Sequence, residues 1–367
     1  MRNGLNVSNV SEFVHEIREV PEEARVRYRT EVSMLRANLA SARVRTCAAG
    51  TIRVARAFEL PVALGAPVPG GSAPSAAEYF QAALGGCVLV TYVYGSSSKG
   101  VTLSQLGIAV ETTEDAQRRP RLRYSLDVDA DADDRQVGNI ARYVSLLSPN
   151  HRTLLETNRI DARIELSDAR GRSRSELVLE STRADQSDDA QSDVVASHRC
   201  DLRWRYGTQL DGHVCSASDG RVGFPITIDQ PKQYLGIDEA PNPQELLFAA
   251  LGADVLSGLL ALADSRKAAT KRATVDFSGA LDVRGVLNVE RTAPVKVHAI
   301  RAALGLEADG DQAELHELAA RALRESSLCR LVCDPQSIEV TVRSRESELF
   351  KLSSNQRLLR AQLAIGA

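Results

Sequence analysis

Residues Ala73–Gly95 read APSAAEYFQAALGGCVLVTYVYG, apolar on every side with one cysteine, Cys87, at their middle. A helix that is apolar all round is a buried helix. Pro74 suits a helix N-terminus, and Glu78 in the first turns suits the positive end of the helix dipole. The stretch predicts a central helix that carries Cys87 into the interior of a domain. It returns 167 residues later, where Ala240–Leu256 reads APNPQELLFAALGADVL. Ala73/Ala240, Pro74/Pro241, Glu78/Glu245, Ala82/Ala249, Ala83/Ala250, Leu84/Leu251, Gly85/Gly252, Val88/Val255 and Leu89/Leu256 match without a gap. A match of that density at a fixed offset marks an internal repeat. One exchange matters most: Asp254 stands where the first copy has Cys87.

Two copies agree with the length. A chain of 367 residues suits roughly two domains of ordinary size. The balance of 45 basic and 48 acidic residues, net −3, argues against nucleic acid or a membrane surface as partner. Both call for a basic face. The start, MRNGLNVSNVSEF, has no apolar signal core, and no apolar run is expected to reach membrane length, so the expected location is the cytoplasm. Six cysteines (Cys47, Cys87, Cys200, Cys215, Cys329, Cys333) are too sparse for a disulfide scaffold and show no zinc spacing. Cys329 and Cys333 could share a helix face, but two ligands are too few for a structural zinc site. No metal or bound cofactor is expected.

Outward from the repeat, the pattern predicts an α+β fold. Residues 8–20 fit a short amphipathic helix ended by Pro21. Alternation predicts a strand over 24–34 and a second over 51–60 that pairs with it. A Pro/Gly-rich loop, 61–73, leads into the Cys87 helix, which Ser96–Gly100 ends. Strands follow near 103–113 and 122–129, then an amphipathic helix over 134–148 and a strand over 160–166. The second copy repeats the plan with strands near 199–206 and 222–229, and a helix over 242–267. Strands near 272–284 and 294–304, a helix over 311–326 and a strand over 338–342 complete it. Ser148/Ser326, Arg152/Arg330 and Ile160/Ile338 match at an offset of 178, so the second copy carries a net insertion of 11 residues between its two helices. The expected organisation is a first domain over 1–167, an Asp/Ser/Arg/Gln-rich linker over 168–196, a second domain over 197–345 and a tail over 346–367. The tail ends in an amphipathic run, QRLLRAQLAIGA. Each domain should gather its helices on one side of a mostly antiparallel sheet, around the buried central helix.

A Pro-bearing loop, a Glu, then an Ala/Leu/Gly run into Cys resembles the OsmC/Ohr family of osmotically induced and organic-hydroperoxide-resistance proteins. Here it reads PSAAEYFQAALGGC and PNPQELLFAALGAD. A second signature closes the second helix as SPNHRTL from Ser148 and SSLCRLV from Ser326. The lead-in NGLNVSNVSEFVHEIREVPEEARVRYRTEV is similar to that of a long OsmC subgroup. The resemblance covers nearly the whole chain as two fused copies. It implies two α+β units that interlock, with sites at their interface, here as an intramolecular pseudo-dimer whose two sites were free to diverge. In peroxidase members of the family, one helix cysteine attacks the O–O bond of an organic hydroperoxide and a second closes a disulfide. An Arg stabilises the thiolate and a Glu holds the Arg. Such chemistry needs a lowered thiol pKa and access to substrate.

Carried over residue by residue, Cys87 matches the attacking cysteine. The resolving position reads Ser148 in one copy and Ser326 in the other, and serine forms no disulfide. The family Glu falls at Ala77 and Gln244, so no carboxylate remains there. Arg43 and Arg45 are the candidates for the Arg. The corresponding turn of the second copy, Asp211–Ser218, carries Cys215 and no obvious Arg.

Each candidate has a bland counterpart. Cys87 is a nucleophile or a buried small hydrophobe. Asp254, a carboxylate within an apolar helix, is either paired across the interface or a polar site residue. His151, three residues after Ser148, is the base of a Cys–His pair or a surface loop histidine. Cys329 aligns with His151 and serves a second site or the core; Cys333 is expected in the core. Arg152 and Arg330 read as helix-end or salt-bridge residues. Three functions follow. The first is a thiol enzyme reducing organic hydroperoxides or related electrophiles through Cys87, with an external thiol as reductant, or a diverged cysteine nucleophile or sulfur-handling enzyme. The second is a non-catalytic protein that binds a small hydrophobic ligand. The third is a partner-binding protein docking through linker and tail. Further oligomerisation is left open.

Overall fold

A computed structural model describes residues 1–65, 72–114, 120–168, 171–181, 196–216, 223–266, 268–345 and 347–355. The first copy runs α1 (Val7–Glu19), β1 (Arg25–Arg36), β2 (Leu39–Val44), β3 (Cys47–Ala49), β4 (Ile52–Val54), β5 (Glu59–Ala63) and α2 (Ala76–Ser98). It continues with β6 (Leu103–Glu114), β7 (Pro120–Ala130), α3 (Asp134–Leu147), α4 (Pro149–Leu155), β8 (Ile160–Asp168) and β9 (Gly171–Leu179). The second copy runs β10 (Ala196–Tyr206), β11 (Gln209–Ser216), β12 (Phe224–Ile228), α5 (Pro243–Ser265), β13 (Thr270–Asp282) and α6 (Val283–Val286). It ends with β14 (His298–Ala308), α7 (Gln312–Glu325), α8 (Ser327–Cys333), β15 (Ile338–Ser344) and β16 (Ser347–Ser354).

The repeat stretches form the two longest helices, α2 and α5, for the reasons their sequences give. Both start in a capping box. Ser75 Oγ accepts from the Glu78 N–H while the Glu78 carboxylate accepts from the Ser75 N–H at 2.6 Å. Asn242 and Glu245 do the same in α5, with Pro243 at the first helical position. Almost every residue from Glu78 to Val93 is buried. The shared Gly85 and Gly252 let each helix lie close on its sheet: a Cβ at Gly252 would stand 2.6 Å from Val32 Cγ2, and one at Gly85 2.9 Å from Val110 Cγ2. The two helices pack on each other. Both are long and apolar enough to cross a membrane by length and composition, which corrects the expectation that no apolar run reaches that length, and most of each is buried inside this fold.

Two mostly antiparallel sheets flank these helices, and each takes strands from both copies. One runs β4-β3-β1-β13-β14-β8-β9, with β2 and β5 attached through β1. The other runs β12-β11-β10-β6-β7-β15-β16. Across the copies β1 pairs with β13, and β10 with β6, antiparallel; β14 pairs with β8, and β15 with β7, parallel. The copies are thus joined by continuous main-chain ladders.

Several expected boundaries shift. The strand read over 51–60 is two pieces, β4 on β3 and β5 on β2, with Arg56 between them. The strand β1 takes its antiparallel partners from β2, β3 and β13 instead. The stretch read as linker begins with a strand, β9, paired along its length with β8. Its alternation of Arg and Ser with Leu is that of an edge strand half turned to water. Residues 182–195 lie outside the described residues. So does the run QRLLRAQLAIGA, while the start of the expected tail forms β16 on β15. The extra residues of the second copy lie between β13 and β14, where they build α6 and the turn after it.

Candidate active site

Cys87 sits midway along α2, 3% exposed. Three donors converge on its Sγ. The Ser148 hydroxyl donates at 3.3 Å, the Asn150 backbone N–H at 3.3 Å, and the Gln244 side-chain amide at 3.4 Å. Ser148 ends α3 and starts α4, so one residue aims both its own hydroxyl and the first N–H groups of α4 at the sulfur. Gln244 comes from the other copy, at the second helical position of α5. Its amide also donates to Asn150 Oδ1 at 3.2 Å, and Asn150 Nδ2 is anchored on the carbonyls of Ala83 and Pro243. The site of copy one is therefore completed by copy two.

Burial dominates the thiol. Desolvation pushes the Cys87 pKa up to about 11, and the donors from Asn150, Ser148 and Gln244 pull it back only in part. No ionised side chain is among its hydrogen-bond partners.

The sulfur lies at the wall of a cleft of about 640 Å³, its mouth included. Phe13 of α1, Tyr28 of β1, Tyr94 of α2, Tyr234 and Leu235, and Val286 of α6 contribute to the lining. Among the described residues, no carboxylate, Lys, Arg or His lines it. The insertion peculiar to the second copy thus supplies part of the wall. The N-terminal segment supplies another part. Asn3 fixes it to the end of α2 by bonding Ser97 Oγ and the Val101 carbonyl, at 3.0 and 2.9 Å.

Arg43 and Arg45, expected to face the thiol, do not. Strand alternation buries Ala42 and Val44 and turns Arg43 outward, where it pairs with Glu59 at 3.3 Å. Arg45 pairs with Glu31 at 2.6 Å. The buried guanidinium of this region is Arg56, which sequence reasoning missed. Its side chain is fully buried and grips the Glu245 carboxylate through Nε and Nη2, both at 2.7 Å. Asp238 lies against Nη1, the Ala240 carbonyl accepts from Nη2 at 3.2 Å, and Phe58 stacks 4.7 Å from the guanidinium. Arg56 thereby pins the first turn of α5 next to Gln244, without being a partner of the sulfur. The signal in sequence was slight: a lone Arg between alanines in a run read as one strand.

His151 is not paired with Cys87. It is fully buried, with Nδ1 on the Tyr124 hydroxyl at 3.1 Å and Nε2 on Ser354 Oγ at 3.0 Å. Both ring nitrogens are used to tie α4 to β7 and β16. Desolvation, and the nearby Arg152 charge, lower its pKa to about 3. The unfolded chain titrates near 6.5 and the folded one far lower, so the neutral ring stabilises the fold above about pH 6.5. That contribution is lost as pH falls from 6.5 towards 3. The urea midpoint of the wild-type protein is expected to drop more steeply between pH 7 and pH 4 than that of His151→Phe. Parallel slopes would contradict this role.

The second copy repeats the donor set around a different acceptor. Ser326 Oγ donates to Asp254 Oδ2 at 2.6 Å and the Leu328 N–H at 3.1 Å, with Ser327 Oγ at 3.4 Å. Ser326 and Leu328 stand where Ser148 and Asn150 do. The half-buried Asp254 side chain is met by hydroxyl and backbone donors, with no Arg among these partners. The same scaffold therefore holds a carboxylate in one copy and a thiol in the other. Cys329, considered for a second site, is a fully buried core thiol whose pKa desolvation pushes well up; its backbone N–H caps on Ser326. Cys333 is likewise buried, its thiol pushed up to about 12 mainly by desolvation. Arg152 and Arg330 close helix ends as expected, donating to the carbonyls of Leu146 and Arg324. Among the described residues no cluster of His, Cys, Asp and Glu has the makings of a metal site.

Comparison with known proteins bears on the family. The family model described as OsmC-like protein matches residues 69–165 and 236–342, one segment in each copy. A solved OsmC-like protein from Mycoplasma pneumoniae shows 14% identity over 34% of this chain and 84% of its own, with a TM-score of 0.28. No curated protein matches. The two matched segments take in more than half of the sequence, so the chain belongs to the OsmC-like protein family, in two tandem copies.

Proposed function

We propose that Cys87 is a redox thiol that reduces small apolar hydroperoxides, with a low-molecular-weight thiol as the second substrate. The observation that supports this best is the convergence of three donors on Sγ at the wall of an uncharged apolar cleft. Donors that point at sulfur favour its anionic form, and the matching donors in the other copy hold a carboxylate. In the reaction the thiolate attacks one peroxide oxygen and the O–O bond breaks. The organic alkoxide leaves and takes up a proton as the alcohol, and Cys87 becomes the sulfenic acid. With serine at the resolving position, an external thiol condenses with the sulfenic acid, releasing water. A second external thiol then restores Cys87 and leaves as the disulfide. Two electrons pass from two thiols to one hydroperoxide.

Cumene hydroperoxide should be consumed with dithiothreitol by the wild-type protein and not by Cys87→Ser. Equal rates in the two proteins would end this reading. A second reading, binding of an apolar molecule without turnover, is favoured by one specific observation. The thiol is pushed up to about 11 and has no cation among its hydrogen-bond partners. On that reading the wild-type protein binds cumyl alcohol and does not consume the hydroperoxide.

A further inference from the structure

Most buried tyrosines here place the hydroxyl on a partner. Tyr79 donates to the Pro61 carbonyl at 3.0 Å, Tyr92 to that of Val137 at 3.1 Å, and Tyr94 to that of Tyr234. Tyr124 bonds His151. Tyr28 and Tyr234 differ. They are 3% and 9% exposed and both line the Cys87 cleft, yet neither hydroxyl has a hydrogen-bond partner among the described residues. Gln230, 7% exposed, lines the same cleft. Its backbone N–H is bonded to Asp229 at 2.8 Å, while its side-chain amide has no partner among the described residues. None of these three groups is sealed off from solvent, and all three residues line the cleft.

Water meets these three groups while the cleft is open, and an apolar molecule that displaces it leaves them unpaired unless it brings a polar atom of its own. What meets them is uncharged. An ion entering a lining without ionised side chains would lose its hydration and gain no counter-charge. Burial raises the pKa of both tyrosines, so their hydroxyls stay protonated and donate.

We infer that the cleft selects an uncharged apolar molecule bearing a neutral oxygen function, such as a ketone or ester, which Tyr28, Tyr234 and Gln230 hold by hydrogen bonds. This deepens the reading above by naming a second functional group on the molecule that Cys87 faces. The test is built so that the thiol chemistry does not enter it.

The Cys87→Ser full chain is titrated by ligand-observed NMR with three probes on one skeleton: 4-phenyl-2-butanone, butylbenzene and 3-phenylpropanoate. The ketone should bind roughly five- to tenfold more tightly than the hydrocarbon, the worth of about one net hydrogen bond. The carboxylate should bind at least about tenfold more weakly than the ketone, for want of a counter-charge. In Tyr28→Phe/Tyr234→Phe, made in the same background, the ketone-to-hydrocarbon ratio should fall to within about twofold. Gln230→Leu should lower it independently. A ratio near one in the parent, an unchanged ratio in both variants, or binding of none of the three probes would overturn the inference. Ketone selectivity in a protein whose Cys87 leaves hydroperoxide intact would sink the proposed chemistry alone. Hydroperoxide turnover without ketone selectivity would sink this inference alone.

Discussion

Replacing Arg56 by Met should lower the unfolding free energy by about 3–5 kcal/mol, the usual cost of removing one partner from a buried ion pair. The Arg56 and Glu245 side chains are both fully buried and joined by two bonds of 2.7 Å. Without the guanidinium, the Glu245 carboxylate keeps, among the described residues, its capping-box bond to the Asn242 N–H. It would sit in apolar surroundings beside Tyr28 and Cys47, whose pKa values burial raises first and its charge raises further. Relief comes by taking up a proton or by loosening the first turn of α5, and that turn carries Gln244. The double variant Arg56→Met/Glu245→Gln, which removes both charges, should recover much of the loss. Urea denaturation of the four proteins of this cycle measures the coupling. A single-variant loss under about 1 kcal/mol would show that the pair is dispensable.

The second large effect concerns pH. With the Cys87 pKa near 11, about one thiol in ten thousand is ionised at pH 7, and that fraction rises tenfold per unit until the pKa is approached. Alkylation of Cys87 by N-ethylmaleimide, followed by peptide mass spectrometry, should accelerate about 100-fold between pH 7 and pH 9, with no plateau below about pH 10. A plateau near pH 8.5 would mean an ordinary, solvated thiol. One near pH 6 would mean a cation at the sulfur that the geometry does not contain. The sign for stability follows. The folded state favours the protonated thiol, so this group stabilises the fold fully below about pH 9 and ceases to do so as pH rises through 11. The Gln244→Glu variant bears on the same point: a carboxylate against the sulfur would push the thiol higher still.

The central helix and its repeat were legible because they are local. Pro74, Glu78 and an unbroken apolar run lie within one window of sequence, and the fixed offset repeats that window; the caps themselves, Ser75 and Asn242, are seen in the structure. The exchange of strands between copies was implied only by resemblance. Ladders such as β1 on β13 join residues some 250 apart, and single-strand patterns do not name partners. Ser148 and Gln244 stand out in the sequence as departures from the family pattern. That the two would touch the sulfur together depends on packing of α5 against α2. Arg43 faces away from the thiol because alternation along β2 turns Ala42 and Val44 inward, a pattern the single-residue match to the family does not carry. His151 is near Ser148 in sequence, but its ring nitrogens bond Tyr124 of β7 and Ser354 of β16, and Ser354 lies in the stretch expected as tail.

The central claim is that Cys87 itself carries the electrons. Stoichiometric cumene hydroperoxide is added to the reduced protein at pH 9, with Cys87→Ser alongside, and the products are trapped with dimedone and mapped by mass spectrometry. One sulfenate is expected at Cys87, reversed by dithiothreitol, and none at Cys47, Cys200, Cys329 or Cys333, which are buried and outside the cleft lining. An unmodified Cys87 with the hydroperoxide intact, or oxidation spread over other cysteines with Cys87 untouched, would contradict it.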